Sequence, residues 1–233
     1  LSGKKVSLMQ RSFMQESVSA PVVGGIVRLT GFILKGTFII ELSGALLMMP
    51  VFCKDYGLKG IWFAIFHSIS AFCNAEFASM TTYACNPVIN ITLMLLIVIG
   101  GIGFVTWEDI ENNKYHFKRY KMQSKLIIVT TAVLITVPAI IFMINDMMTG
   151  SERMPVFKAL FQSVTLRTAG FNTVDLNAMK QASVMIMIIL MLIGGSPGST
   201  AGGMKTTTFA VLMGNMVATF KRNKNIHFFE RRI

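Results

Sequence analysis

Two stretches of this chain combine residue types at spacings that could do chemistry. The first is Thr165-Leu166-Arg167-Thr168-Ala169-Gly170-Phe171-Asn172. A dehydrated alkali cation needs oxygen ligands in place of its water, and the carbonyls of an extended loop provide them without a side-chain charge. Small residues and glycine let successive carbonyls point one way. A short helix ending at Leu166, or at Phe72 earlier in the chain, would aim the negative end of its dipole toward such a cation. An ordinary outer loop with a turn at Gly170 fits the same residues taken alone.

The second stretch is Gly194-Gly195-Ser196-Pro197-Gly198-Ser199-Thr200-Ala201-Gly202-Gly203-Met204-Lys205. It lies inside a long uncharged run, yet five glycines and a proline within ten residues cannot continue as helix. At membrane depth such backbone survives only where protein buries it or where it lines a watery cavity. A broken helix beside a pathway is the expectation, with the loop as a flexible gate and Lys205 opposing cation passage when closed. A helix kink with Lys205 snorkelling to the inner face is the plainer alternative. A phosphate loop does not fit, because Met204 separates Gly203 from Lys205 and no strand precedes the glycines.

Other polar residues receive smaller roles. Arg167 is expected to brace its loop through carbonyls or an acid such as Asp175. Glu41 is an intramembrane acid, either functional or a partly hydrated packing residue near the cytoplasmic end of its helix. His67 is expected to pack. Cys53, Cys73 and Cys85 have no metal-ligand spacing and are expected as buried free thiols. No cluster of acid, base and nucleophile occurs, so an enzyme is not expected.

The elements that must position these residues are membrane helices. The chain is 53% hydrophobic and 14% charged, where a soluble domain carries about 25% charged residues. Residues 88–106, 126–144 and 181–204 contain no Asp, Glu, Lys or Arg, and each is near or above the roughly 18 residues of a span. The net charge of +11 is segregated. Basic residues cluster at Lys4, Lys5, Arg11, Arg28 and Lys35, at Lys114, Lys118, Arg119, Lys121 and Lys125, and at Lys221, Arg222, Lys224, Arg231 and Arg232. The positive-inside rule makes all three blocks cytoplasmic, and this distribution argues against nucleic acid as a partner.

Cytoplasmic blocks on either side require an even number of crossings between them. Each interval holds three apolar stretches: 36–53, 61–72 and 88–106, then 126–144, 156–166 and 181–220. The middle stretch of each set is too short to span. A re-entrant helix restores parity, giving a helix, a pore helix with its loop, and a second helix, twice over. The halves also match in sequence. Phe66-His67-Ser68-Ile69-Ser70 parallels Phe161-Gln162-Ser163-Val164-Thr165, and Asn74-Ala75-Glu76-Phe77 parallels Thr168-Ala169-Gly170-Phe171. This is an internal repeat of about 95 residues, a common construction in transport proteins.

The two opening stretches resemble the Trk/Ktr/HKT superfamily of potassium transporters, most closely the membrane subunit of bacterial Ktr systems. The resemblance covers nearly the whole chain. It implies an all-α integral membrane fold, potassium-channel-like, with two tandem M1-P-M2 repeats and a broken inner helix in the second. The divisions are a cytoplasmic lead-in over 1–34, a repeat over 35–109, a basic linker over 110–125, a repeat over 126–220 with a gating loop at 194–206, and a basic tail over 221–233. The resemblance further implies K+ at filter carbonyls of Thr168, Ala169, Gly170 and Phe171 and of Cys73, Asn74 and Ala75. It implies potassium uptake, often aided by sodium, with no covalent cofactor. It also implies a homodimer of pore subunits on a ring of cytosolic nucleotide-binding regulatory subunits, in the cytoplasmic membrane, with the termini of this segment cytoplasmic. Residues 114–125 and 221–232 are candidate docking surfaces for that ring, or orientation signals alone. A secondary transporter of another class, with a discontinuous helix at its substrate site, is the alternative.

Two departures accompany the resemblance. Glu76 stands where the first filter glycine is expected, either as a real change or because residues are missing between Ala75 and Phe77. Only two of the family's four repeats are present, and Leu1 is not preceded by Met. The chain is therefore expected to be a fragment or to pair with another chain.

Overall fold

In a computed structural model, the residues described are 7–18, 25–75, 80–114, 116–147, 156–173, 179–222, 227–228 and 231–232. Glu76, and Asp175 with its expected contact to Arg167, lie outside them. So do Lys4, Lys5 and Lys224.

The chain is helical almost throughout its described part. The helices are α1 (Leu8–Val18), α2 (Ile26–Tyr56), α3 (Lys59–Cys73), α4 (Pro87–Ile102), α5 (Phe104–Asn113), α6 (Met122–Met147), α7 (Val156–Thr165), α8 (Gln181–Met191) and α9 (Thr206–Phe220). A two-residue antiparallel pair, β1 (His227–Phe228) with β2 (Arg231–Arg232), follows in the basic tail. By length and composition, Ile26–Tyr56 and Met122–Asn145 are long and apolar enough to cross a membrane.

Local chemistry sets several of these boundaries. The Asn86 side chain accepts from the Val88 and Ile89 amides at 3.0 and 3.3 Å, and Pro87 fills the first helical position of α4. Both are strong helix starts. Gly103 ends α4 with φ 95° and ψ 141°, a conformation open to glycine alone. The chain turns through 96° there into α5.

Two expected boundaries fall inside helices, and one residue is placed differently. The first long helix begins at Ile26, inside the expected lead-in of 1–34, because Arg28 and Lys35 are accommodated on a helix rather than ending it. The expected linker over 110–125 begins as helix, since α5 runs to Asn113. The turn that remains is organised by buried Asp109. Its carboxylate accepts from the Lys121 amide and the Asn113 side chain, both at 2.8 Å. Glu41 lies midway along α2 rather than near an end.

Packing follows chain order. α3 packs on α2 and α4, α6 packs on α7, α8 and α9, and α4 touches α6 and α7. One apolar core joins Met48, Phe52, Phe72, Ile89, Leu93 and Ile97 to Phe161, Val164 and Phe171 from the later half. His67 packs within it, with its ring stacked on Phe52 at 5.5 Å. The cysteines are free, but Cys85 is exposed and Cys53 and Cys73 are half-buried. The expectation of buried thiols therefore fails most clearly at Cys85, which sits in the turn before Asn86.

Close approach of α2 to α3 and α4 depends on Gly44. A Cβ there would lie 2.6 Å from Ser68 Oγ and 2.8 Å from Leu96 Cδ1. Overpacking of this kind costs roughly 1–3 kcal/mol. Gly44→Val is expected to lower the thermal unfolding midpoint of detergent-purified protein, and an unchanged midpoint would show that the three helices yield at this point.

Candidate functional site

The site begins at the ends of α3 and α7. The backbone turns left-handed past each helix, at Asn74 (φ 51°) directly after α3 and at Thr168 (φ 66°) three residues after α7. In each, a hydroxyl of the last turn reaches forward to hold the loop. Ser70 Oγ donates to the Ala75 carbonyl at 2.8 Å, and Thr165 Oγ1 donates to the Phe171 carbonyl at 2.6 Å. Two residues earlier, matching serines reach back to the preceding long helix. Ser68 Oγ donates to the Glu41 carbonyl at 2.6 Å, and Ser163 Oγ donates to the Ile135 carbonyl at 2.7 Å. Ser163 also reaches the Leu134 carbonyl at 3.3 Å. Pro138 inside α6 has no amide to give that carbonyl, so the serine fills a gap the proline leaves.

The two loops lie side by side. The Met80 amide donates to the Asn172 carbonyl at 2.7 Å, and the Phe171 and His67 rings are 6.3 Å apart. Ala169 and Phe171 are buried, Thr168 and Cys73 are half-buried, and Asn74 is buried. Gly170, at φ 86°, and Ala75 are exposed. Arg167 is 5% exposed, and its Nε and Nη2 have no hydrogen-bond partner among the described residues. Its Nη2 faces Gly101 of α4, 3.9 Å from where a Cβ would stand. The expected brace is therefore not made through those two nitrogens to any described carbonyl.

Between α8 and α9, residues 192–205 are not helical. They fold on themselves through a parallel bridge of Ile193 and Met204. Gly194 N donates to Met204 O, Met204 N to Leu192 O, and Thr206 N to Gly195 O, all at 3.0 Å. Ser196 and Thr206 hydroxyls meet at 3.2 Å. The crossing is then tied to the bend between α4 and α5. Ser196 N donates to Gly101 O at 2.9 Å, Thr200 N to Gly100 O at 3.2 Å, and Phe104 N to Gly198 O at 2.9 Å. Lys205 is half-buried, and its ammonium donates to the Ala201 carbonyl at 2.9 Å.

Glycine serves close approach here. A Cβ on Gly194 would overlap the Gly202 carbonyl, and one on Gly100 would overlap the Phe72 carbonyl. One on Gly103 would stand 2.7 Å from the Pro197 carbonyl. Gly202, unlike Gly194, Gly195 and Gly203, has open space where a Cβ would stand. Hydrogen bonds thus tie the glycine-rich stretch to the bend of α4 and to the end of α3, and the Asn172 carbonyl to Met80. The hydroxyls of Ser68, Ser70 and Ser163 were not singled out by their chemistry. The recurrence of hydroxyl residues at matching positions of the two halves was the available signal. Among the described residues no group of three His, Cys, Asp or Glu side chains could hold a metal ion.

Comparison with known proteins adds a second line. Residues 2–233 match the protein family described as TrkH, cation transport protein. The potassium/sodium uptake protein NtpJ of Enterococcus hirae is 36% identical over 244 aligned positions, covering 100% of this chain and 54% of the relative. The Ktr system potassium uptake protein B of Bacillus subtilis is 32% identical over 242, covering 99% and 54%. The chain thus spans about half the length of the curated relatives it matches. The crystal structure of the potassium transporter TrkH from Vibrio parahaemolyticus superposes with a TM-score of 0.70 at 21% identity, over 91% of this chain and 47% of that one. At that identity the likeness speaks to fold.

The loop glycines are expected to separate by substitution. A Cβ on Gly195 would lie 2.7 Å from Ser199 Oγ and 2.9 Å from the Gly101 carbonyl, an overpacking worth roughly 1–3 kcal/mol. Gly195→Ala is expected to destabilise the purified protein and Gly202→Ala to leave it within about 0.5 kcal/mol. Equal thermal shifts for the two would overturn this account of the loop.

Proposed function

This chain belongs to the TrkH cation transport family, and on that premise we propose that it lines a potassium uptake pathway, with a carbonyl filter gated by residues 194–205. It is a multi-pass membrane protein. The observation that carries the reading is the pair of equivalent helix ends. Asn74 and Thr168 are both left-handed, each loop is held by a last-turn hydroxyl, and Ala75 and Gly170 are exposed beside them. Their carbonyl sequences, Cys73-Asn74-Ala75 and Thr168-Ala169-Gly170-Phe171, would replace the water of K+. The dipoles of α3 and α7 would add partial negative charge at the same place.

The repeated arrangement of a long helix, a short helix and a third helix supports two M1-P-M2 units, one built on α2–α4 and one on α6–α9. Residues 192–205 interrupt the last helix of the second unit. Lys205 sets a positive charge in this crossing, where it would oppose a passing cation. Relatives named as Ktr system proteins support a place for this chain in a system of more than one component; in it, the chain would sit in the cytoplasmic membrane as a homodimer on cytosolic nucleotide-binding regulatory subunits. The basic segments around 114–125 and 221–232 would face that partner, with the termini of this segment cytoplasmic. The name of NtpJ supports Na+ as an accompanying or alternative ion.

Uptake of potassium and rubidium by import-deficient cells expressing the whole protein tests the reading. Gly170→Ser is expected to abolish uptake or remove its ion preference, because serine tolerates φ 86° poorly. Deletion of 198–203 is expected to leave flux ungated. Uptake indifferent to both changes would mean that neither segment lines the ion path.

A further inference from the structure

Thr200 stands where the glycine-rich crossing, α4 and the end of α3 meet. Its hydroxyl donates to the Phe72 carbonyl at 2.7 Å and accepts from Asn74 Nδ2 at 3.1 Å. Asn74 Nδ2 also reaches the Phe72 carbonyl at 3.3 Å. The Thr200 amide donates to Gly100 O at 3.2 Å, and Gly100 lies so near α3 that a Cβ would overlap the same Phe72 carbonyl. The Asn74 amide is already taken by Ala71 and Ser70. Its side chain is therefore the group that can answer to the crossing.

We propose that the Thr200 hydroxyl couples the crossing to the carbonyl loop at 73–75, so that the position of the crossing sets the affinity of that loop for its cation. The inference rests on the filter reading given above. Asn74 is buried in its left-handed conformation. Withdrawal of Thr200 leaves the Asn74 side-chain amide with the Phe72 carbonyl alone, and leaves that carbonyl with the longer of these two hydrogen bonds. Buried polar groups seek new partners when one is lost, so the Asn74 side chain and the peptide it steers reorient. Linkage makes the effect reciprocal. A cation that favours the ordered loop also favours the seated crossing.

The test is the concentration dependence of potassium uptake by the whole protein in import-deficient cells, with membrane abundance measured alongside. Thr200→Val keeps the shape and loses the hydroxyl. It is expected to raise KM for potassium about five- to tenfold, the factor a buried hydrogen bond commands, while Thr200→Ser restores wild-type KM. Asn74→Gly keeps the left-handed backbone without the amide and is expected to raise KM similarly. The double variant is expected to do no worse than either single one, as for residues acting through one contact. A Thr200→Val protein with altered maximal rate and unchanged KM would overturn the coupling and leave a gate alone. Asn74→Gly with unchanged KM would overturn it equally, including where the valine variant fails to reach the membrane. Gly170→Ser measured in the same cells separates the two ideas. If it leaves uptake intact, the filter reading itself falls.

Discussion

A polypeptide that stops being helical in a water-poor setting must find a partner for every amide and carbonyl it uncovers. That constraint organises this protein. Residues 192–205 meet part of it by folding back on themselves, and meet the rest on the bend of another helix, through Gly100, Gly101 and Phe104. Leaving one such buried group unpaired costs about 1–3 kcal/mol. The three external bonds together therefore weigh as much as a large part of a typical folding stability of about 5–15 kcal/mol. The crossing is thus a fixed structural member in this conformation. Any movement has to break those bonds together, which favours two discrete positions over a continuum of loop states.

The hydroxyl pairs carry the same logic to the short helices. Ser68 and Ser163 fasten α3 and α7 to carbonyls of α2 and α6, while Ser70 and Thr165 fasten the loops that follow. One turn of helix therefore holds both its scaffold and its product. The spacing from hydroxyl to accepting carbonyl is five residues in the first case and six in the second. The accepting carbonyls are therefore not at matching positions of the two halves, since Ala75 aligns with Ala169 and Phe171 with Phe77.

Much of this was legible before any coordinates. Apolar runs located α2, α3, α4, α6 and α7, because burial in lipid leaves a long compositional trace. The glycine-rich crossing was legible as a break, because no helix tolerates that composition. Its partner was not, since the bond from Ser196 to Gly101 joins residues far apart in the chain and neither residue type announces it. Glycine was read as freedom at 194–203, whereas at Gly194 and Gly195 it permits contact. The linker was placed from 110 onward, yet α5 runs to Asn113 and buried Asp109 shapes the turn to α6. Charge marks helix ends poorly, as the start of α2 at Ile26 shows.

The seat of the crossing also has a history within each molecule's synthesis. Gly100 and Gly101 leave the ribosome with carbonyls whose eventual donors, at Thr200 and Ser196, are about a hundred residues behind. At roughly 5–20 residues per second, that is a wait of about 5–20 s. During it the bend between α4 and α5 has its acceptors uncovered and its glycine-lined hollow open. The nascent first half is complete in its helices and incomplete in its polar bonding, a state suited to holding by the insertion machinery. Final closure of the first half is an event of the second half's folding.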